Sequence, residues 1–184
     1  MKDNLTEEVQ ISSLHVVRPA EAQDLEAILD IYNQGIEDRI ATLESEPKDL
    51  AYMQNWWLEH QGRYPVLVAE QRGQILGWAA LNRYSQRCAY DRVADLSVYI
   101  ARSARGTGIG SLLLPKLEHA ACVHGFRKIV LLTFAFNEAG QHLYRKLGYR
   151  EVGVFEEHGM LDGRKIDVRI MEKLLQPQST ESEY

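Results

Sequence analysis

Hydrophobic and polar positions divide the chain into eleven segments of recognisable period. Leu25, Ile28, Leu29 and Tyr32 fall at i, i+3, i+4 and i+7, the spacing of one helix face, with Gly35 as the expected stop. A second helix is predicted after Pro47, with Leu50, Met53 and Trp57 on one side and an end near Gly62. The longest periodic stretch runs from Gly108 to Val123, where Ile109, Leu112, Leu113, Leu117 and Ala120 share a face. A short helix over Leu143, Tyr144 and Leu147 is predicted between a cap at Asn137 and a stop at Gly148. Short runs rich in β-formers read as strands at His15–Arg18, Val66–Ala69, Ile75–Leu81, Ala94–Ala101, Lys128–Phe136, Tyr149–Phe155 and Lys165–Leu174. Arg72-Gly73 and Asp162-Gly163 supply the turns of two hairpins.

The resulting order, β-α-α-β-β-β-α-β-α-β-β, mixes hairpins with helical crossovers. It predicts an α/β (mixed α+β) architecture with a mixed sheet of about six to seven strands rather than a purely parallel one. No Gly/Ser linker or repeat interrupts residues 14–175, so one domain is expected there, with polar tails at 1–13 and 176–184.

Composition narrows the classes of function. With 184 residues, 45% hydrophobic content and a formal charge of −5, the chain has the makings of a packed core and no basic stripe for nucleic acid. No apolar run approaches the length that crosses a bilayer, and 1–8 lacks the apolar stretch of a signal peptide, so a cytoplasmic protein is expected. Cys88 and Cys122 show neither disulfide nor metal spacing, so no metal is expected.

The chemistry concentrates in Arg105-Gly106-Thr107-Gly108-Ile109-Gly110, between a predicted strand and a predicted helix. Glycines let a ligand approach the backbone, successive N–H groups at a helix start attract phosphate, and Arg105 adds a cation. The Gly-Lys-Ser/Thr of a nucleotide-binding P-loop is absent. A dinucleotide fingerprint also fails, because its third glycine position is Ser111 or Leu113. A tight turn without a ligand remains open on the loop alone.

Arg105-x-x-Gly108-x-Gly110 resembles the Q/R-x-x-G-x-G/A signature of the GNAT acetyltransferase superfamily. Arg18-Pro19-Ala20, Ile31-Tyr32-Asn33, Glu46-Pro47, Val68-Ala69-Glu70, Gly77-Trp78-Ala79, Ser97-Val98-Tyr99 and Leu147-Gly148-Tyr149 extend the likeness, in order, to the phosphinothricin, methionine sulfoximine and arsinothricin N-acetyltransferase group. The resemblance implies the GNAT fold, acetyl-CoA as cosubstrate, an amino acid-like acceptor amine and a homodimer. It implies that Gly106, Thr107, Gly108, Ile109, Gly110 and Ser111, with Arg105, cradle the pyrophosphate. Val98 and Ile100 would meet the thioester and pantetheine through backbone N–H groups on a splayed strand, and Asn137 would face the cofactor. Asp95 falls where the group usually has Glu, implying the base. Tyr144 falls at the general-acid position. Arg87 and Tyr90 match substrate-contacting positions, and Leu43 and Tyr99 would line the acceptor pocket, Leu43 in place of the usual Phe. Each has a plainer reading: Tyr144 as core, Asn137 as a cap, Arg87 as a solvated surface charge. Two other functions fit the same residues, a non-catalytic acyl-CoA sensor and a protein N-terminal acetyltransferase. Pro115, inside the longest helix, belongs to no functional pattern.

Overall fold

The structure, a computed structural model, describes residues 15–176. The expected tails at 1–13 and 176–184 lie outside the described residues, Gln176 excepted. The chain forms β1 (Val16–Pro19), α1 (Leu25–Glu37), α2 (Leu50–Glu59), β2 (Val66–Gln71), β3 (Gln74–Arg83), β4 (Val93–Ile100), α3 (Ile109–Val123), β5 (Lys128–Phe134), α4 (Glu138–Lys146), β6 (Arg150–Leu161) and β7 (Arg164–Leu174). The strands make one sheet in the order β1-β2-β3-β4-β5-β7-β6. Every neighbouring pair is antiparallel except β4 and β5. The expectation of an α/β fold on a mixed sheet of about six to seven strands is met, with seven.

Local rules explain most element ends. The Asp49 side chain accepts from the Tyr52 N–H and caps α2, and Asn137 accepts from the Gly140 N–H to cap α4. Asp162 and Gly163 both have positive φ, 48° and 75°, as a two-residue primed turn demands. Several predicted ends move by two or more residues, and two of the shifts have a clear cause. Gly35 does not stop α1, which runs on to Glu37. A Cβ on Gly35 would sit 2.9 Å from Cδ1 of Tyr99, so the glycine serves close packing of helix on sheet instead. β6, expected to end at Phe155, continues to Leu161 through a bulge between Phe155 and Gly159, where Glu157 takes φ 50° and donates its N–H to Asp167. Pro115 leaves α3 unbroken to Val123.

The two faces of the sheet are covered by different helices. Gly35 of α1 touches Tyr99, whereas Ile109 of α3 lies against Ile100 and Gly77. Side chains alternate along a strand, so Asp95, Ser97 and Tyr99 face α1 and α2, and Leu96, Val98 and Ile100 face α3. Val68, Leu81, Leu113, Leu117, Ile129 and Met171 are buried in the main core.

What positions the site is a fault in the sheet. β4 and β5 are aligned only at Val93 with Lys128, Ala94 with Ile129 and Asp95 with Val130. Beyond Asp95, β4 stays paired with β3 as far as Ile100, and β5 stays paired with β7 as far as Phe134. The two strands diverge, and the edge of β4 from Leu96 onward faces no strand on that side.

Candidate active site

The open edge has a definite polarity. The Ala101 N–H donates to the Leu76 carbonyl, toward β3. Alternation then turns the N–H groups of Val98 and Ile100 the other way, into the gap. The Ile100 carbonyl also points there, because the Arg105 guanidinium bonds it at 3.2 Å. Unpaired strand amides require acceptors, and a ligand's carbonyls can satisfy them.

The gap opens into a cleft of about 390 Å³ that gathers most of the residues singled out in the sequence. Val98, Tyr99 and Ile100 form one wall, Arg105, Gly106, Gly108, Ile109, Gly110 and Ser111 the end, and Asn137 and Tyr144 the other wall. Gly106 and Gly108 have φ of 75° and 90°, and no atom of the described residues lies within 4 Å of a Cβ built on either. Their lack of side chains thus answers backbone conformation and keeps the helix start open to a ligand. Gly110 is different: a Cβ there would meet Leu143 of α4 at 2.6 Å, so it fixes how closely α3 and α4 approach. Thr107 lines the adjoining groove, and its hydroxyl closes the loop by donating to the Ala104 carbonyl at 2.6 Å. This open, amide-lined cradle fits the pyrophosphate and pantetheine of a coenzyme A ester.

Two side chains assigned to the cofactor have other partners. Arg105 is paired with Asp38 as well as the Ile100 carbonyl, so it braces the loop against α1. Asn137 spends its oxygen on the Gly140 N–H at 3.0 Å and its amide on the Thr133 hydroxyl at 3.3 Å.

Asp95 sits at the apex of the split, the last residue of β4 aligned with β5. Burial pushes its carboxyl up to about 6, against the opposing pull of the Asn82 side chain and the Leu96 N–H. Asp95 lines a separate pocket of about 250 Å³ on the α1/α2 side, walled by Tyr32, Tyr52, Met53, Trp56, Trp78, Asn82, Ser97 and Tyr99. Tyr99 borders both cavities. Tyr144 is 8% exposed on the cleft side, and burial, reinforced by the Asp95 charge, holds its phenol protonated. The carboxyl that can take a proton therefore lies on one side of the split and the phenol that can give one on the other.

The expected acceptor residues are less well gathered. Leu43 packs against Gly159 of the β6 bulge, where a Cβ would lie 2.3 Å from its Cδ1. Arg87 and Tyr90 flank a short turn between β3 and β4 and line neither cavity, Tyr90 pairing edge-on with Tyr84 at 5.5 Å. The pocket wall instead uses aromatic residues whose periodicity marks them only as helix and strand core. Tyr99 stacks on Trp78 at 4.9 Å and meets Tyr32 edge-on at 5.0 Å, and Trp56 crosses Trp78 at 5.4 Å. Trp78 Nε1 is buried with no hydrogen-bond partner among the described residues. Alternation along β3 and β4 hints at this set, but only the register across the Tyr84–Arg92 loop brings it together.

A carboxyl and a phenol flanking a strand gap, with a glycine cradle at a helix start, define an acyl-CoA-dependent transferase site. Residues 25–149 match the acetyltransferase (GNAT) family, and the chain belongs to that family. It is 33% identical to the phosphinothricin N-acetyltransferase of Streptomyces coelicolor, over 86% of this chain and 95% of that one. It is also 33% identical to an L-methionine sulfoximine/L-methionine sulfone acetyltransferase of Pseudomonas aeruginosa, over 88% and 95%. The solved phosphinothricin acetyltransferase of Sinorhizobium meliloti, in complex with AcCoA, superposes with a TM-score of 0.84 at 31% identity, over 93% of this chain and 96% of that one.

Proposed function

We propose that this GNAT acetyltransferase moves the acetyl group of acetyl-CoA to the primary amine of a small amino acid or amino acid analogue, such as phosphinothricin or methionine sulfoximine, by direct attack in a ternary complex. The observation that carries this reading is the split after Asp95, which leaves Val98 and Ile100 amides facing a cleft between an elevated carboxyl and a buried phenol. The named relatives favour an amino acid analogue as acceptor, and the small pocket beside Asp95 suits one.

The residues divide the reaction. The cradle at Gly106, Gly108 and Gly110 holds the pyrophosphate, and the open edge of β4 aligns the thioester, its Val98 N–H polarising the carbonyl. Asp95 accepts the proton lost by the acceptor ammonium, directly or through water. The amine nitrogen then attacks the thioester carbon. As the C–S bond breaks, Tyr144 donates its proton to the sulfur, the surplus proton on the attacking nitrogen passes through water to restore the phenol, and the products are an N-acetyl amide and free coenzyme A. Arg105 and Asn137 act by shaping the loop and the start of α4. Arg87 and Tyr90 act at the outer rim, and Leu43 acts with the β6 bulge at the pocket mouth.

The same reading includes a homodimer in the cytoplasm. Val152, Val154, Phe155 and Met160 on edge strand β6 are exposed, an apolar margin suited to a second copy. Both cysteines are free thiols, as a reducing compartment keeps them. The test is thiol release from acetyl-CoA over a panel of free amino acids, phosphinothricin, methionine sulfoximine and a short peptide. Turnover on a free amino acid or analogue supports the reading. Turnover on the peptide alone points to protein N-termini, and tight binding without turnover points to a sensor.

A further inference from the structure

Asp95 is held from behind by two residues with no role in the reaction as described. Asn82 of β3 stands directly opposite Asp95 across the antiparallel ladder. Its Nδ2 donates to Ser97 Oγ at 2.9 Å and to Asp95 Oδ2 at 3.3 Å. Its Oδ1 lies 2.9 Å from Nε2 of His60, the residue that ends α2. The other ring nitrogen, Nδ1, lies 2.7 Å from the Trp56 carbonyl. His60 is 9% exposed, and its ring lies 4.1 Å from that of Trp56.

The donors and acceptors in this chain are not independent. A carbonyl only accepts, so His60 Nδ1 carries a hydrogen. Where Asn82 turns Oδ1 toward Nε2, that nitrogen must carry one too, and the Asn82 NH₂ faces the Asp95 carboxylate. Where Nε2 is bare, Asn82 must turn its NH₂ to the ring and its carbonyl toward Asp95 and Ser97. That second arrangement favours a carboxylic acid, which can donate to the carbonyl. The amide of Asn82 thus links the hydrogen on His60 Nε2 to the charge on Asp95.

We propose that His60 and Asn82 are positioning residues that orient one amide toward Asp95 and so hold it as the ionised proton acceptor. The proposal rests on the reading of Asp95 as base. Among the described residues, no lysine or arginine lines the pocket around Asp95. The titratable groups that face it are phenols: Tyr32 of α1, Tyr52 of α2, Tyr99 of β4 and Tyr144 of α4. A shift of the acid limb on altering His60 thus has two sources to separate, the lost donor and any charge of the doubly hydrogenated ring, and a neutral donor at that place separates them.

The test is the pH profile of kcat/KM for acetyl transfer in the wild type, His60→Leu, His60→Gln, Asn82→Ala and the Leu/Ala double variant, with Asp95→Ala alongside and folding followed by thermal melts. His60→Leu removes the hydrogen bond to Asn82, and its acid limb is expected to move up by about one pH unit. His60→Gln offers a neutral N–H donor at the place of Nε2 and is expected to restore the limb to near the wild-type position. Asn82→Ala is expected to shift the limb as far, and adding His60→Leu to it to shift it no further. An unmoved limb in His60→Leu, or equal shifts in the Leu and Gln variants, overturns the proposal while an inactive Asp95→Ala leaves the base reading intact. Wild-type rates in Asp95→Ala overturn the base reading itself. If His60→Leu does not fold, His60→Gln and Asn82→Ala decide: an unmoved limb in Asn82→Ala overturns the proposal.

Discussion

The two halves of β4 are the same strand under opposite constraints. At Ala94 and Asp95 it has β3 on one side and β5 on the other. From Leu96 to Ile100 it keeps β3 and loses β5. The closed half fixes the register that sets Asn82 against Asp95. The open half supplies amides to a ligand. An enzyme of this kind thus builds its reactive edge by leaving out hydrogen bonds that a continuous sheet would make, and the carboxyl proposed as its base stands where the omission begins.

Four substitutions probe that contrast, the most damaging first. Asp95→Ala removes the proposed base at the junction and should lower kcat by about 10²- to 10⁴-fold, read by thiol release, with acetyl-CoA affinity retained in a direct binding titration. Gly108→Val puts a β-branched residue at φ 90° at the mouth of the open half. It should raise KM for acetyl-CoA by roughly tenfold and lower the melting temperature, as about 1–3 kcal/mol of backbone strain enters the loop. An unchanged KM for acetyl-CoA beside a lowered melting temperature would mean that the glycine serves only as a turn.

Asp95→Asn probes stability rather than rate. The folded carboxyl sits at about 6, above its ordinary value, so the wild type is stabilised fully only below the ordinary carboxylate range and loses that stability as pH rises through about 6. An amide escapes this loss. Asp95→Asn should therefore be more stable than wild type at pH 8, by about 1–3 kcal/mol, with the gain vanishing near pH 4. Paired melts at the two pH values check it, and an equal difference at both would contradict the burial account. Arg87→Ala, on the exposed turn outside both cavities, should change KM for the acceptor by less than about threefold, since surface substitutions usually act weakly. A larger loss would bring the Tyr84–Tyr90 loop into the site.

Much of this was legible in the sequence, for physical reasons that differ by element. Period and caps located the four helices and seven strands of the described residues, because burial of one face leaves its mark every 3.6 or 2 residues. The helix-start glycines were legible because their conformation disfavours side chains, and Gly108, at φ 90°, is the clearest case. Asp95, Val98, Ile100 and Tyr144 were legible only through resemblance, since no local pattern marks the place where a strand loses its partner. Gly35 misled because a glycine that admits the Tyr99 ring and a glycine that ends a helix are written alike. The bulge of β6 falls in Glu156-Glu157-His158-Gly159, past the expected end of the strand at Phe155. Asn82 and His60 gave no signal at all: their meeting with Asp95 depends on the register of β3 on β4 and the seat of α2, both long-range facts.

Whether the carboxyl at the sheet split takes the proton is decided by the pH dependence of kcat/KM for acetyl transfer to methionine sulfoximine, wild type beside Asp95→Ala. The expected result is an acid limb near pH 6 in the wild type. That limb should be absent from a strongly impaired Asp95→Ala, leaving only the slope of the acceptor amine's own deprotonation. A variant with the wild-type rate and the same limb would show that Asp95 is not the base.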